Sequence, residues 1–262
     1  MNANWLGIAA AALSVVGFLV SYNFASKQIQ TPRYAICLLL GLLAKPGLTF
    51  ALHYTGLVPE LDWYYNLRSV KGTELLVVFI GLWGGVVAAL LPRIVLIIPF
   101  VGVLAFSAVP FIKPFIGPLD LNSLEDDWDG PVCLQSTPST CGAAALATVL
   151  KRLGHSVAEA ELAKDAYSYA DGTEAWYLAR AAKERGYATK FSFNPGFSLE
   201  DGVPALVGVR IGLAGHFIAI LGTRGHELFV GDPLVGPELM SRDELLQRYE
   251  FTGFHLHVSD QN

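Results

Sequence analysis

One thiol opens the stretch QSTPSTCGAAALATVLKRLG, Gln135 to Gly154, in the surroundings a nucleophile needs. Residues 143–153 are rich in Ala, Leu and Val, end in Lys151 and Arg152, and precede Gly154, a residue suited to the left-handed turn past a helix end. The pattern predicts a helix with Cys141 in its first turn. Unpaired backbone N–H groups and the positive end of the helix dipole favour a thiolate there, the form that attacks carbonyl carbon. A small thiol on an apolar helix also fits a packed structural cysteine, so its partners decide between the two.

Two partners lie downstream, where residues 203–210, 216–222 and 226–232 read as consecutive strands separated by a loop at 211–215 and a turn at 223–225. His216 opens one strand and Asp232 closes the next. Paired as a hairpin, these strands bring imidazole and carboxylate to one end of the sheet, where the acid orients the base. Gln135, six residues before Cys141, can set a side-chain amide N–H beside the backbone N–H of Cys141, as an oxyanion hole requires.

Gln135, TCGAAALATVL at 140–150, GHFIAILG at 215–222 and GDPLVG at 231–236 together resemble the bacteriocin-processing, double-glycine leader peptidases. These are papain-like cysteine peptidases, most familiar as the front domain of peptide-exporting ABC transporters. The likeness runs from about residue 131 to 258 and includes GTEAWYLARAAKERGY and MSRDELLQRYEFTGFHL. It implies Cys141 as nucleophile, His216 as general base and acid, Asp232 as the residue orienting that histidine, and Gln135 as oxyanion donor. It further implies a peptide or small-protein substrate, cleavage after glycine, and a bacterial cell membrane as the setting. Thr140 departs from the pattern, because the family commonly has an acidic residue there.

The elements that position these groups are read from composition. The chain is 53% hydrophobic and 16% charged, with the apolar excess concentrated before residue 119. Apolar runs at about 5–25, 34–54, 75–91 and 94–112 each approach the roughly 20 residues that span a bilayer core. They predict four transmembrane helices, the third short and joined to the fourth by only Pro92 and Arg93. Before the first run there is no Lys or Arg, and no convincing cleavage site follows, so an uncleaved anchor is expected. Lys45 is followed by Pro46 and Gly47 near the middle of the second run. That combination fits either a functional intramembrane charge or a kink with a snorkelling ammonium. Trp63, Tyr64 and Tyr65, between the second and third runs, suit a membrane–water boundary. Lys27 and Arg33 in the first connection orient both termini away from the cytoplasm.

Charge changes where hydropathy does. Residues 1–118 hold seven Lys/Arg and three Asp/Glu, a net +4, and residues 119–262 hold eleven and twenty, a net −9. An acidic domain without a basic stripe excludes nucleic acid as the expected partner. The expected organisation is a four-helix transmembrane region at 1–118, an acidic linker at 119–130 and a peptidase domain at 131–262. The fold class is thus a multi-pass α-helical membrane region followed by an α+β papain-like domain. In the latter, helices opened by Ser156 with Glu159 and by Thr173 precede the antiparallel strands. Cys37, Cys133 and Cys141 show no metal-ligand spacing, and neither metal nor cofactor is expected. His155, His226, His255 and His257 read as structural or surface residues. No G-x-x-x-x-G-K-[ST] occurs, so any export machinery is expected on a separate chain.

The expected activity is that of a membrane-bound cysteine peptidase, with the lipid bilayer and a peptide as partners. Two alternatives stay open: a cysteine-dependent acyltransferase or amidase using the same residues, and a silent domain that binds leader peptides for a transporter.

Overall fold

In chain order the first helices are α1 (Trp5–Ser26), α2 (Gln30–Leu52), α3 (Asp62–Arg68), α4 (Val78–Leu90) and α5 (Ile97–Ile116). They come from a computed structural model that describes residues 3–194, 196–198 and 202–261. The chain divides into two units. One comprises Ala3–Pro59 and Lys71–Ile116, and the other is built mainly from Glu60–Val70 and Gly117–Asn262.

The first unit packs α1, α2, α4 and α5 together. Four stretches, Trp5–Ser26, Gln30–Thr55, Thr73–Leu90 and Arg93–Ile116, are long and apolar enough to cross a membrane, in agreement with the four runs read from the sequence. The third is completed by a 3-10 turn, Thr73–Val77, ahead of α4. A second such turn, Arg93–Val95, makes the tight link to α5. Glycines let α1 and α4 approach closely. A Cβ at Gly81 would lie 1.7 Å from the Ser14 carbonyl oxygen, and one at Gly85 2.1 Å from Ser21 Oγ, the small-residue contact by which helices pack in an apolar solvent. Ser14 and Ser107 satisfy each other at 2.8 Å in this interior. At Lys45 the helix is unbroken: α2 runs through Pro46, and Lys45 is on an exposed face. Leu38, Leu42, Val20 and Ile98 are also exposed, an outward apolar surface suited to lipid.

The second unit continues with β1 (Trp128–Asp129), β2 (Val132–Cys133), α6 (Cys141–Arg152), α7 (Glu159–Asp165) and α8 (Ala175–Lys183). Strands β3 (Tyr187–Phe193), β4 (Ala205–Ile211), β5 (Ala214–Arg224), β6 (Glu227–Asp232) and β7 (Gly236–Ser241) follow, then α9 (Arg242–Arg248) and β8 (Glu250–Asp260). Six strands form one antiparallel sheet in the order β3-β8-β4-β5-β6-β7. Helix α6 is buried along ten consecutive residues, Cys141 to Leu150, the all-round burial expected of a helix without a polar face. Gly142 makes its close packing possible, because a Cβ there would meet Leu178 at 2.9 Å and Phe217 at 3.3 Å.

At the end of the 119–130 stretch β1 pairs with β2, and the Lys151 ammonium stands over the Trp128 ring at 3.7 Å. One sequence expectation needs correction: Tyr64 and Tyr65 are not an interfacial belt but part of the second unit's core. Tyr65 packs on Trp176, Phe191 and Phe193 with ring centroids 5.3, 5.3 and 4.8 Å away. The Arg68 guanidinium lies 4.4 Å from the Trp176 ring centre, and Arg180 donates to the carbonyls of Arg68 and Val70 at 2.9 and 3.1 Å. Trp63 remains exposed. Amphipathic rings gain as much from an aromatic core as from a headgroup layer, and here the core claims them.

A prediction follows for this insertion. Tyr64 is fully buried against Trp176, so Tyr64→Ala should cost the second unit about 3–5 kcal/mol, the range for a deleted core aromatic. Denaturant unfolding of the full chain in detergent, followed by Trp fluorescence, checks it. A loss under about 1 kcal/mol would mean that the segment rests on the unit without supporting it.

Candidate active site

Cys141 is the first residue of α6, with Thr140 at the N-cap position. Thr140 is fully buried and its Oγ1 donates to the Thr137 carbonyl at 3.0 Å, closing the loop before the helix. Ala144 N–H returns to the Thr140 carbonyl at 3.0 Å. Among the described residues the Cys141 backbone N–H has no hydrogen-bond partner, as expected of a first-turn donor. Cys141 is 7% exposed and lines the cleft described below.

His216 lies on β5 opposite Val209 of β4. The β5–β6 register, with Ala219 facing Gly231, sets Asp232 one step on, across from Ile218 and on the same face as His216 by the period of two. The two side chains meet: His216 Nε2 donates to Asp232 Oδ1 at 2.7 Å, with both residues buried. The Cys141 side chain neighbours the imidazole and, with Asp232, acts to raise its pKa, and Cys141 and His216 line one cleft. Asp232 is itself fixed from three directions. Leu234 N–H donates to its Oδ1 at 2.8 Å, Tyr249 Oη donates to its Oδ2, and its carbonyl accepts from Val235 N–H at 3.1 Å. The last bond closes a turn with Pro233 at its second position, where proline's fixed φ suits the geometry.

Gln135 is in the loop ahead of α6. Its backbone N–H donates to the Pro233 carbonyl at 2.9 Å, which ties this loop to the Asp232 turn. Its Nε2 donates to the Thr137 carbonyl at 2.7 Å. Its Oε1 is buried with no hydrogen-bond partner among the described residues. The structure thus joins His216 to Asp232, sets Cys141 and His216 in one cleft, whose lining includes neither Asp232 nor Gln135, and ties Gln135 to the Asp232 turn through its backbone.

The electrostatics favour an ion pair. Burial pushes the His216 pKa down, but hydrogen bonds to Asp232 and Cys141 and their negative charge outweigh it and raise the pKa to about 9. Burial pushes Asp232 up, and the bonds from His216, Tyr249 and Leu234 more than reverse this, holding it below the ordinary carboxylate value. Tyr249 shifts upward through burial and the adjacent carboxylate, so it stays a donor. The imidazole therefore keeps its proton through neutral pH and loses it as pH rises through about 9. The alkaline limb of kcat/KM for any reaction requiring that proton should fall near this value. A limb near the unperturbed histidine value of about 6.5 would contradict the arrangement.

Cys133 is a buried free thiol whose pKa burial pushes up to about 12, the inert state of a structural cysteine. No group of three His, Cys, Asp or Glu side chains suited to a metal ion occurs among the described residues. The cleft at the thiol has a volume of about 480 Å³ and includes Cys141, His216, Pro138 and Phe217 in its lining. Sequence reading missed Tyr249, which no local motif marks, and the part that Glu60 and Tyr65 take in this lining.

A sequence profile described as the Peptidase C39 family matches residues 129–262, just over half of the chain. Two curated relatives are uncharacterized proteins. That of Methanothermobacter marburgensis is 33% identical over 115 residues, covering 44% of this chain and 80% of the relative. That of Methanothermobacter thermautotrophicus is 33% identical over 128 residues, covering 48% and 85%. Similar solved structures include the peptidase domain of Streptococcus ComA, a bi-functional ABC transporter involved in quorum sensing. It is 28% identical, covers 50% of this chain and 98% of that one, and has a TM-score of 0.44. A double glycine motif protease from an AMS/PCAT transporter, solved with its leader peptide, is 26% identical, covers 50% and 91%, and has a TM-score of 0.43. With the profile spanning both the helix of Cys141 and the hairpin of His216 and Asp232, the chain belongs to the peptidase C39 family.

Proposed function

We propose that this protein is a membrane-anchored cysteine peptidase in which Cys141, His216 and Asp232 act as the catalytic triad. The observation that carries the reading is the buried 2.7 Å bond from His216 to Asp232, with the helix-terminal Cys141 lining the same cleft as His216. The reacting form has the proton on His216 and the negative charge on sulfur. The sulfur attacks the scissile carbonyl carbon, forming a C–S bond and moving the carbonyl π electrons onto oxygen. The oxyanion accepts from the Cys141 backbone N–H and from the second N–H of Gln135 Nε2, whose first is held by Thr137. As the C–N bond breaks, His216 gives its proton to the leaving amine, and the acyl fragment remains as a thioester. His216, now neutral, takes a proton from water. The resulting hydroxide adds to the thioester carbon, and collapse releases a carboxylic acid, which gives its proton to solvent, and restores the thiolate–imidazolium pair. Asp232 holds the ring in orientation and balances its charge, and Tyr249 positions Asp232.

The membrane assignment rests on the four helices long and apolar enough to span a bilayer and on their exposed apolar faces. The substrate reading, a peptide or small protein cut after glycine, rests on family membership and on access. Cys141 is only 7% exposed, and a narrow approach to a thiol favours a slim acyl residue over a branched one. Mapping protein N-termini in cells that produce the wild type, against cells that produce Cys141→Ala, tests the function. New termini after glycine should appear only with the wild type, and identical maps would count against a peptidase.

A further inference from the structure

Residues 60–70 stand in sequence between the second and third apolar helices and outside the 129–262 stretch that carries the family match, yet they are built into the catalytic unit. They are held there by the Tyr65 ring cluster, by Arg68 on Trp176 and by a 2.6 Å bond from Lys183 Nζ to Ser69 Oγ. To the cleft of Cys141 and His216 this segment adds Glu60 and Tyr65, while the loop leading into α8 adds Asp171 and Glu174. Three acidic residues from two distant parts of the chain thus line one cavity. The basic groups in its lining are His216, taken by Asp232, and Arg210, whose guanidinium lies 3.1 Å from Glu250. Tyr65 is hydrogen-bonded to Glu60, which holds that carboxylate beside an aromatic wall made with Phe193 and Phe254.

A cleft lined by one sign of charge concentrates the opposite charge in its substrate. An aromatic wall next to carboxylates fits a side chain with an apolar stem and a cationic head. We propose that Glu60 is a specificity-determining residue, and that the inserted segment makes the cleft select peptides bearing Lys or Arg within a few residues of the scissile bond. This rests on the peptidase reading above and names its substrate class. Tyr65 and Phe193 take the stem, and Glu60 takes the head.

The probes are two fluorescently labelled peptides of one sequence around a Gly-Gly pair. One carries Lys at two positions within three residues of that pair, and the other Gln. Their affinities are measured for the full chain in detergent with Cys141→Ala, so that no cleavage intervenes, and again with Glu60→Gln added. At low salt the Lys peptide should bind about three- to fivefold more tightly, the range of one partly exposed ion pair. Salt near 0.5 M should erase most of this advantage, and Glu60→Gln should remove at least half of it, with an unfolding midpoint unchanged for so exposed a residue. Equal affinities, no binding of either peptide, or an advantage indifferent to Glu60→Gln would overturn the proposal. Turnover of the same pair by the wild type separates the two ideas. Cleavage without charge preference defeats this inference alone, whereas charge-selective binding without cleavage defeats the peptidase reading.

Discussion

Replacing Cys141 with Ala is expected to lower kcat for peptide cleavage by about 10⁵-fold or more, the scale reached when the nucleophile of a catalytic unit is removed. The loss should be chemical, not structural. Alanine is the best helix former, position 141 is the first of its helix, and only a sulfur atom is deleted from a side chain that opens onto the cleft. The unfolding midpoint should therefore stay close to that of the wild type while turnover vanishes. Substrate affinity should persist, because the cleft is otherwise intact. Residual cleavage within about tenfold of wild type would assign the chemistry to another group.

Asp232→Asn should follow in size, with about a 10³–10⁴-fold loss of kcat, the effect of a wrongly oriented or wrongly protonated imidazole in a triad. Asn keeps the volume, and its carbonyl oxygen can still accept from Leu234 N–H, which now donates to Asp232 at 2.8 Å. It cannot keep the charge. Burial pushes the His216 pKa down, and the Asp232 hydrogen bond is the largest of the influences that raise it to about 9. Without the carboxylate, the imidazole loses its proton at lower pH, so whatever activity remains should show an alkaline limb displaced below 9. A variant that keeps both rate and limb would make Asp232 a structural residue.

What could be read from the sequence is what short-range chemistry dictates. The start of α6 at Cys141 follows from an apolar run with basic residues in its last turn and Gly154 after it, and Gly154 does adopt a φ of +91°. The β5–β6 hairpin follows from alternating apolar residues around Gly225, at a φ of +65°. The pairing of His216 with Asp232 is a consequence of that hairpin and so was within reach. Local patterns misled where distant groups competed for the same side chain. Glu159 looked like the second half of a capping box with Ser156, but it is fully buried and accepts from Ser136 N–H at 3.1 Å, and α7 begins at Glu159 itself. The capping box that does form is Ser241 with Glu244 at the start of α9. Tyr64, Tyr65 and Tyr249 depend on partners at least 17 residues away, which no window of sequence displays.

The central claim is that Cys141 itself carries the acyl group, and the covalent intermediate tests it most directly. Full-length wild-type protein in detergent, mixed with a Gly-Gly peptide, quenched in acid during turnover and digested, should yield the Cys141-containing fragment heavier by the mass of the peptide's acyl portion. The two cleavage products should accumulate alongside it. The same mixture with Cys141→Ala should give neither adduct nor products. Products forming equally with Cys141→Ala, or an acyl group found on another residue, would contradict the assignment.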